Sequence, residues 1–328
     1  MRDVFLVGIV EQNEESQRLL RRIFLDRGYD VEMVNSLAAA MERIQAVKAA
    51  SRRPFDLIVA DHSPPAFDGF GFLKAAHVLL PQAKLVLYTD YRIDECIHLA
   101  LDQDVGNVIA KTSPPDAEEL IYTADSLLRQ QIRGLEGHLA PGTEIRISQV
   151  RRPAIDKHQV IDDVRGFLEA LNGATEYLRD VVGLVLDEMI ENAAYNAPQE
   201  KDGSKRYERG MDIVLSDAEV VTVAFGCDRR YFGFSVSDAL GTLSREDILR
   251  NLDRALNRGP AVIAEHGGGG FFLMRRFIDR FIVNIERGKR TDCIGLIDLA
   301  ADRSQAEIAN KSIHVFQVGG FESEVGVA

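Results

Sequence analysis

The chain has 328 residues, of which 46% are hydrophobic and 27% are charged, and its formal net charge is −12. This length exceeds the usual size of a single hydrophobic core, so two domains are expected. The negative charge argues against nucleic acid as a partner, because phosphate binding needs a basic surface, and the absence of a long apolar run argues against a membrane partner.

Short apolar runs alternate with amphipathic stretches through residues 1–133. This alternation predicts a doubly wound α/β domain with a parallel sheet and helices on both faces. In such sheets the functional residues lie at the carboxyl ends of the strands. Strands are predicted at 4–10, 31–34, 56–60, 84–88 and 107–110, and helices at 15–27, 37–48, 70–79, 93–102 and 115–133.

Polar residues follow three of these strands. Asp61 is followed by a proline pair and by an Asp-Gly turn at 68–69, Thr89 ends the next strand, and Lys111 ends the one after it. This pattern resembles the response-regulator receiver family. The resemblance implies that Asp61 is the phosphoacceptor and a Mg²⁺ ligand. It also implies that Lys111 is the cation that spreads the phosphoryl charge, and that Thr89 supplies the hydroxyl that follows the phosphate.

The same resemblance places two adjacent acids after the first strand, where this chain has Glu11 and Gln12. The neutral oxygen of glutamine is a poorer ligand for Mg²⁺ than a carboxylate. Val108 stands at the position of the family's switch aromatic, and Thr112 replaces the proline that follows the lysine. Two interpretations of Asp61 therefore stay open. Either it is phosphorylated, with Glu11 helping to hold the metal, or it only caps a strand–loop junction in a docking domain.

A stretch at 134–142 contains glycines and a proline and is predicted to be a linker. The grouping of strands and helices after it predicts an α+β sandwich over 143–303, with helices on one face. The polar segment 198–210 is predicted to be a mobile loop, and the tail 304–328 carries one strand signal at 313–318. The strands are predicted at 144–149, 211–215, 218–225, 230–237, 281–286 and 292–298, and the helices at 158–171, 175–196, 245–257 and 269–280.

Glu188 and Asn192 lie one helical turn apart on an otherwise apolar predicted helix. A carboxylate in such surroundings needs a partner such as a metal ion. The sequence Glu-Met-Ile-Glu-Asn-Ala at 188–193 resembles the N-box of the GHKL ATPases, in the form found in the anti-sigma-factor serine kinases. The resemblance implies that Glu188 is the general base and that Asn192 ligates the Mg²⁺ that arrives with ATP.

Two later motifs extend this resemblance. Asp238 and Gly241 follow a predicted strand and resemble the family's adenine-binding loop, and Thr291 resembles the threonine beside the adenine aspartate. Gly268 and Gly270 belong to a glycine run that opens a helix, and they resemble the second glycine box. Such backbone can approach phosphates closely, so the resemblance implies an ATP site.

The two resemblances together imply a receiver-like domain that regulates a GHKL-type ATP-binding domain. Its expected cofactors are ATP and Mg²⁺, and its expected partners are a regulatory protein of the anti-anti-sigma kind and a sensor kinase. A non-catalytic scaffold and a bare ATPase stay open as alternatives. The apolar stripe of helix 115–133 packs on its own sheet or pairs two copies as a homodimer.

The three cysteines, Cys96, Cys227 and Cys293, are widely separated in the sequence. Their spacing predicts neither a disulfide framework nor a zinc site, so a reducing cytoplasm is the expected environment.

Overall fold

The structure, a computed structural model, describes residues 4–48, 52–64, 67–102, 105–171, 174–257, 277–301 and 311–319. Its strands are β1 Leu6–Val10, β2 Asp30–Val34, β3 Leu57–His62, β4 Lys84–Thr89, β5 Asn107–Ala110, β6 Ile145–Val150, β7 Val221–Cys227, β8 Tyr231–Asp238, β9 Arg280–Glu286, β10 Arg290–Asp298 and β11 Ser312–Val318. Its helices are α1 Glu14–Asp26, α2 Leu37–Lys48, α3 Gly69–Leu79, α4 Ile93–Asp102, α5 Ala117–Arg129, α6 Pro153–Glu169, α7 Glu176–Glu191 and α8 Arg245–Asn257. The strands form one sheet in the order β2-β1-β3-β4-β5-β11-β9-β10-β8-β7-β6.

The first five strands are parallel and confirm the doubly wound prediction for this part of the chain. Residues of α1 and α5 cover one face of the sheet, where Leu20 and Leu120 join Val7 in a buried cluster. Residues of α2 and α3 cover the other face. Helix α5 ends at Arg129, four residues earlier than predicted, because Gln130 takes a left-handed conformation with φ 55°.

The second part of the sheet is antiparallel over β6, β7, β8, β10 and β9. Helices α6 and α7 pack against each other and against its strands. The strand predicted at 211–215 is wrong: Met211 and Val214 are exposed, and only Leu215 is buried. The predicted helix 269–280 lies outside the described residues up to position 276.

The predicted strand at 313–318 exists, but it does not lie in a peripheral tail. Strand β11 runs antiparallel to β5, pairing Ile313 with Val108 and His314 with Asn107. On its other side it runs parallel to β9 from Ser312 to Val318. The two parts of the chain therefore share one hydrogen-bonded sheet.

Buried charges cross the seam between the two parts. The guanidinium of Arg280 at the start of β9 contacts Asp116 and lies 3.2 Å from Glu119 Oε2. His314 Nε2 lies 2.9 Å from Glu119 Oε1. Burial alone would raise the pKa of both carboxyl groups, but Arg280 holds each pKa below its usual value. Helix α4 also packs against α8 across this seam.

The segment predicted as a linker is packed against the sheet. It contains a short 3₁₀ helix at Leu135–Gly137, and Leu135 and Leu139 are buried beside Leu296 and Phe316. Among the described residues, no helix has both the length and the apolar content needed to cross a membrane.

Candidate functional site

The carboxylate of Asp61 lies in a polar cavity of about 430 Å³ at the carboxyl end of β3. Lys111 Nζ is 2.7 Å from Asp61 Oδ1 and 2.8 Å from Glu11 Oε2. Ser63 Oγ donates a hydrogen bond of 2.9 Å to Asp61 Oδ2. The predicted residues Asp61, Glu11 and Lys111 are therefore brought together, and Gln12 lines the same cavity.

Lys111 bridges the two carboxylates as a cation. Burial alone would lower the pKa of its ammonium, but attraction to Asp61 and Glu11 raises it above the ordinary value. Both the hydrogen bond and the charge attraction between Lys111 and Asp61 raise this pKa. Lysine therefore stays charged at neutral pH and compensates both acids.

Thr89 lies opposite His62, the residue after Asp61, in the β3–β4 register, and its hydroxyl has partners other than Asp61. Its Oγ1 donates to the carbonyl oxygen of His62 at 2.7 Å and accepts from the N–H of Tyr91 at 3.0 Å. The Asp-Gly turn packs closely on β3: a Cβ on Gly69 would lie 2.0 Å from the carbonyl oxygen of Asp61. Only glycine fits at this position, which explains the Asp68-Gly69 pair.

A divalent cation fits this pocket poorly. Mg²⁺ prefers several anionic oxygens in octahedral geometry. Four carboxylates line the cavity, those of Glu11, Glu15, Asp61 and Asp90. The ammonium of Lys111 lies between those of Asp61 and Glu11, where it competes with a cation, and Gln12 is neutral. No group of three or more carboxylate, histidine or cysteine side chains in the described ranges is arranged to hold a metal ion.

Glu188 and Asn192 lie at the end of α7, as the sequence predicts. Thr175 begins this helix by accepting the N–H of Leu178, and a π-helical turn at Asn192–Asn196 follows it. The partner of Glu188 is a cation of the chain itself, since Arg209 Nη2 lies 2.8 Å from Glu188 Oε2. Asn192 Oδ1 accepts a hydrogen bond of 2.7 Å from the side-chain amide of Asn196.

Asp238 is buried at the end of β8 and lies opposite Thr291 in the β8–β10 ladder. Its Oδ1 accepts N–H groups from Leu240 at 2.9 Å and Gly241 at 3.0 Å. Burial raises the pKa of the Asp238 carboxyl, while these donors and the nearby Thr291 hydroxyl oppose the rise. Gly241 has φ +60°, and a Cβ there would lie 2.2 Å from the carbonyl oxygen of Glu286.

The hydroxyl of Thr291 is a buried polar atom that makes no well-aligned hydrogen bond within the part of the chain that the structure describes. It lies beside a carboxylate whose own partners are two backbone N–H groups. Buried polar atoms usually have a hydrogen-bond partner. A hydroxyl group without one, beside a carboxylate, therefore fits a small polar group of a ligand. An exocyclic amino group, which donates hydrogen bonds, matches this acceptor set.

The structure brings the Asn192 turn and the Asp238 loop together. The turn packs against β8, and Thr242 Oγ1, just after the loop, donates 3.1 Å to the carbonyl oxygen of Ala197. Gly268 and Gly270, the predicted phosphate-binding glycines, lie outside the described residues.

Comparison with known proteins identifies the first part of the chain. The family "Response regulator receiver domain" matches residues 7–124. Residues 7–124 are a receiver domain. No curated protein matches the chain.

Solved structures similar to the chain include two receiver domains. A CheY-like receiver domain protein from Methanospirillum hungatei JF-1 has 22% identity and a TM-score of 0.35, and the match covers 39% of this chain and 96% of that one. A receiver domain of an HD domain-containing protein from Pseudomonas fluorescens Pf-5 has 18% identity and a TM-score of 0.34, covering 40% and 90%.

Sequence reasoning missed the cations that surround α7. Lys157 on α6 lies 2.8 Å from Asp187 Oδ1 and also contacts Glu191, which in turn contacts Arg209. These residues come from three separate segments, so no spacing rule links them. The one available signal was the basic content of the polar segment 198–210, which the sequence presents as an ordinary loop.

Proposed function

We propose that the chain is a two-component signalling protein in which the receiver domain regulates an ATP-binding unit formed by residues 143–303. This unit acts as a serine/threonine kinase of the anti-sigma-factor type on a regulatory protein partner. The observation that carries the proposal is the buried pair of Asp238 and Thr291, which leaves an acceptor and an unsatisfied hydroxyl side by side. That arrangement suits the amino group of adenine.

The proposed roles follow from the positions of the remaining residues. Asn192 ligates the Mg²⁺ that accompanies ATP, and the backbone amides of Gly268 and Gly270 hold the phosphates. Glu188 removes the proton from the acceptor hydroxyl of the partner, a step that contributes roughly 10²–10⁴-fold to rate in enzymes. Asn192 and Glu188 share the end of α7, and the turn after Asn192 packs against β8, which supports a common site.

Contacts across the seam support regulation by the receiver domain. Helix α4 of the receiver packs on α8, which follows the Asp238 loop, and β5 pairs with β11. Lys111 of the acid pocket lies five positions before Asp116, which contacts Arg280. A change at Asp61 that moves the β5–α5 loop would therefore also move Asp116 and alter its contact with Arg280 at the start of β9.

Calorimetric titration of the full chain with Mg-ATP and Mg-GTP tests the nucleotide site. We expect ATP to bind at least tenfold more tightly than GTP, because guanine presents a carbonyl oxygen where adenine presents the amino group. Asp238→Asn should weaken ATP binding by roughly 10- to 100-fold, the usual worth of a hydrogen bond to a charged group. Asp217→Asn, which changes an exposed aspartate beside Arg151, serves as the control. Wild-type protein that binds neither nucleotide would exclude the proposal.

One observation favours a second candidate, a scaffold that binds nucleotide without turning it over: Glu188 is already paired with Arg209. Release of the γ-phosphate in the presence of Mg-ATP separates the two functions. The kinase proposal expects turnover that falls at least 100-fold in Glu188→Gln while ATP still binds. Binding without turnover, in the presence of partner protein, would favour the scaffold.

A further inference from the structure

We infer that residues 198–210, here called the capping segment, are an internal cap that occupies the catalytic end of α7 and must release it before Mg-ATP binds. The inference rests on the proposed function and concerns the regulation of the same site. Its basis is that the capping segment contacts Glu188 directly through Arg209 and reaches Asn192 through Asn196, which Lys205 contacts.

The first contact blocks the proposed general base. Arg209 Nη2 lies 2.8 Å from Glu188 Oε2, and Arg209 Nε contacts Glu191. The Glu188 side chain is 12% exposed, whereas that of Arg209 is 47% exposed. The carboxylate of Glu188 is therefore mostly covered and is paired with a more exposed guanidinium, which must leave before the carboxylate can accept a proton from another group.

The second contact reaches the proposed metal ligand through one intermediate residue. Lys205 Nζ lies 2.6 Å from Asn196 Oδ1, and the amide nitrogen of Asn196 donates 2.7 Å to Asn192 Oδ1. An amide oxygen that already accepts this hydrogen bond must give it up, or share it, to ligate a cation. Lys205 fixes the orientation of the Asn196 amide that makes this hydrogen bond.

The capping segment is held in place by a separate anchor. Arg206 Nη1 lies 2.5 Å from Glu219 Oε1, and the buried Glu219 also accepts the N–H and hydroxyl of Ser216. Gln199 and Lys205 form an isolated β-bridge within the segment. This anchor is made by Arg206 and not by Arg209. The side chain of Arg209 can therefore leave Glu188 while Arg206 stays paired with Glu219.

The cap is weak enough to act as a switch. The side chain of Arg209 is 47% exposed, so solvent screens its ion pair with Glu188. We therefore expect the populations of the closed and open states to differ by only a small factor. A site that is closed for part of the time binds its ligand with an affinity reduced by the open fraction. Removing Arg209 should therefore raise the apparent affinity for Mg-ATP by about three- to tenfold.

The contact itself can be tested without nucleotide. Full-length protein is treated with a carbodiimide and glycine ethyl ester, and labelling of the carboxyl groups is measured by mass spectrometry. We expect Glu188 to be labelled several-fold faster in Arg209→Ala than in wild type. Arg22→Ala, which removes an exposed arginine paired with Asp26 on α1, should leave Glu188 unchanged. Equal labelling of Glu188 in wild type and Arg209→Ala would overturn the cap.

Calorimetry with Mg-ATP on the same proteins tests regulation. Tighter binding in Arg209→Ala and in Lys205→Ala supports the cap, whereas weaker binding in Arg209→Ala would show that Arg209 contacts the bound nucleotide and would overturn it. Faster labelling of Glu188 with no ATP binding by any of the proteins would defeat the proposed function. That result would show that Arg209 protects Glu188 from labelling but has no part in nucleotide binding.

Discussion

Two buried aspartates show how neighbouring residues set the chemistry of a carboxylate. Asp61 lies 2.7 Å from the ammonium of Lys111 and accepts the hydroxyl of Ser63. Asp238 accepts two backbone N–H groups, and burial raises its pKa. The first carboxylate is thus compensated within the chain, whereas the second gains most from a ligand that donates a hydrogen bond.

The missing acid of the receiver pocket leads to a prediction at the residue scale. Gln12→Asp should increase the affinity for Mg²⁺ by about tenfold, because a second anionic oxygen beside Glu11 restores the charge that a hard cation requires. Calorimetric titration with MgCl₂ measures the change. Gln12→Ala, which removes only a neutral amide, should bind as weakly as wild type. Equal affinity in wild type and Gln12→Asp would contradict this explanation of the pocket.

The positions of these side chains could be predicted from the sequence, but their partners could not. Asp61, Glu11 and Lys111 meet because each lies at the carboxyl end of a parallel strand, and strand ends align along one sheet edge. The hydroxyl of Thr89 points to the His62 carbonyl oxygen, a choice of rotamer that no pattern encodes. The pairing of Arg209 with Glu188 joins residues from a loop and a helix, so neither periodicity nor spacing indicates it.

At the scale of elements, most strands and helices follow from periodicity, whereas the position of β11 does not. The apolar run at 313–318 predicts a strand, but its neighbours lie about 30 and 200 positions earlier in the chain. Local sequence carries no information about such distant pairing. The same limit applies to 211–215, where a short apolar run predicts a strand and the chain stays irregular, with only its last side chain buried.

The central position of β11 predicts a large effect of proline. The N–H of Val315 donates 2.9 Å to the carbonyl oxygen of Gly106, beside β5. Val315→Pro should destabilise the fold by at least about 3 kcal/mol, because proline lacks this donor and is not tolerated in a central strand. Hydrogen exchange should show loss of protection in both β5 and β9. Val315→Ala keeps the N–H and should lose only packing, so unchanged protection in Val315→Pro would refute the central placement.

Across the whole molecule, the two parts are joined by buried charges, by the buried His314 and by the half-buried His138. His314 contacts Glu119, and His138 packs against the ring of Tyr122 at 4.4 Å between centroids. Burial, followed by repulsion from cationic groups such as Arg280, lowers the pKa of His138 to about 3. The junction between the receiver domain and the rest of the chain is therefore sensitive to acid.

Acid weakens the folded state through His138. His138 in the unfolded chain takes up a proton near pH 6.5, whereas in the folded chain it stays neutral until about pH 3. The unfolded state then binds more protons, so the free energy of unfolding should fall as the pH drops from 7 to 4. Urea denaturation should show a shallower fall for His138→Phe than for wild type. His77→Gln, at an exposed position of α3, is the control, and an unchanged slope in His138→Phe would contradict the prediction.

The chain order of the shared sheet has a consequence for synthesis on the ribosome. Ser312 reaches back 202 positions to hydrogen-bond the N–H of Ala110. The receiver domain leaves the ribosome long before that partner is translated, so the outer edge of β5 stays uncovered in the nascent chain. Unpaired strand edges invite association with other chains. Slow or paused translation between residues 110 and 312 should therefore increase aggregation during expression.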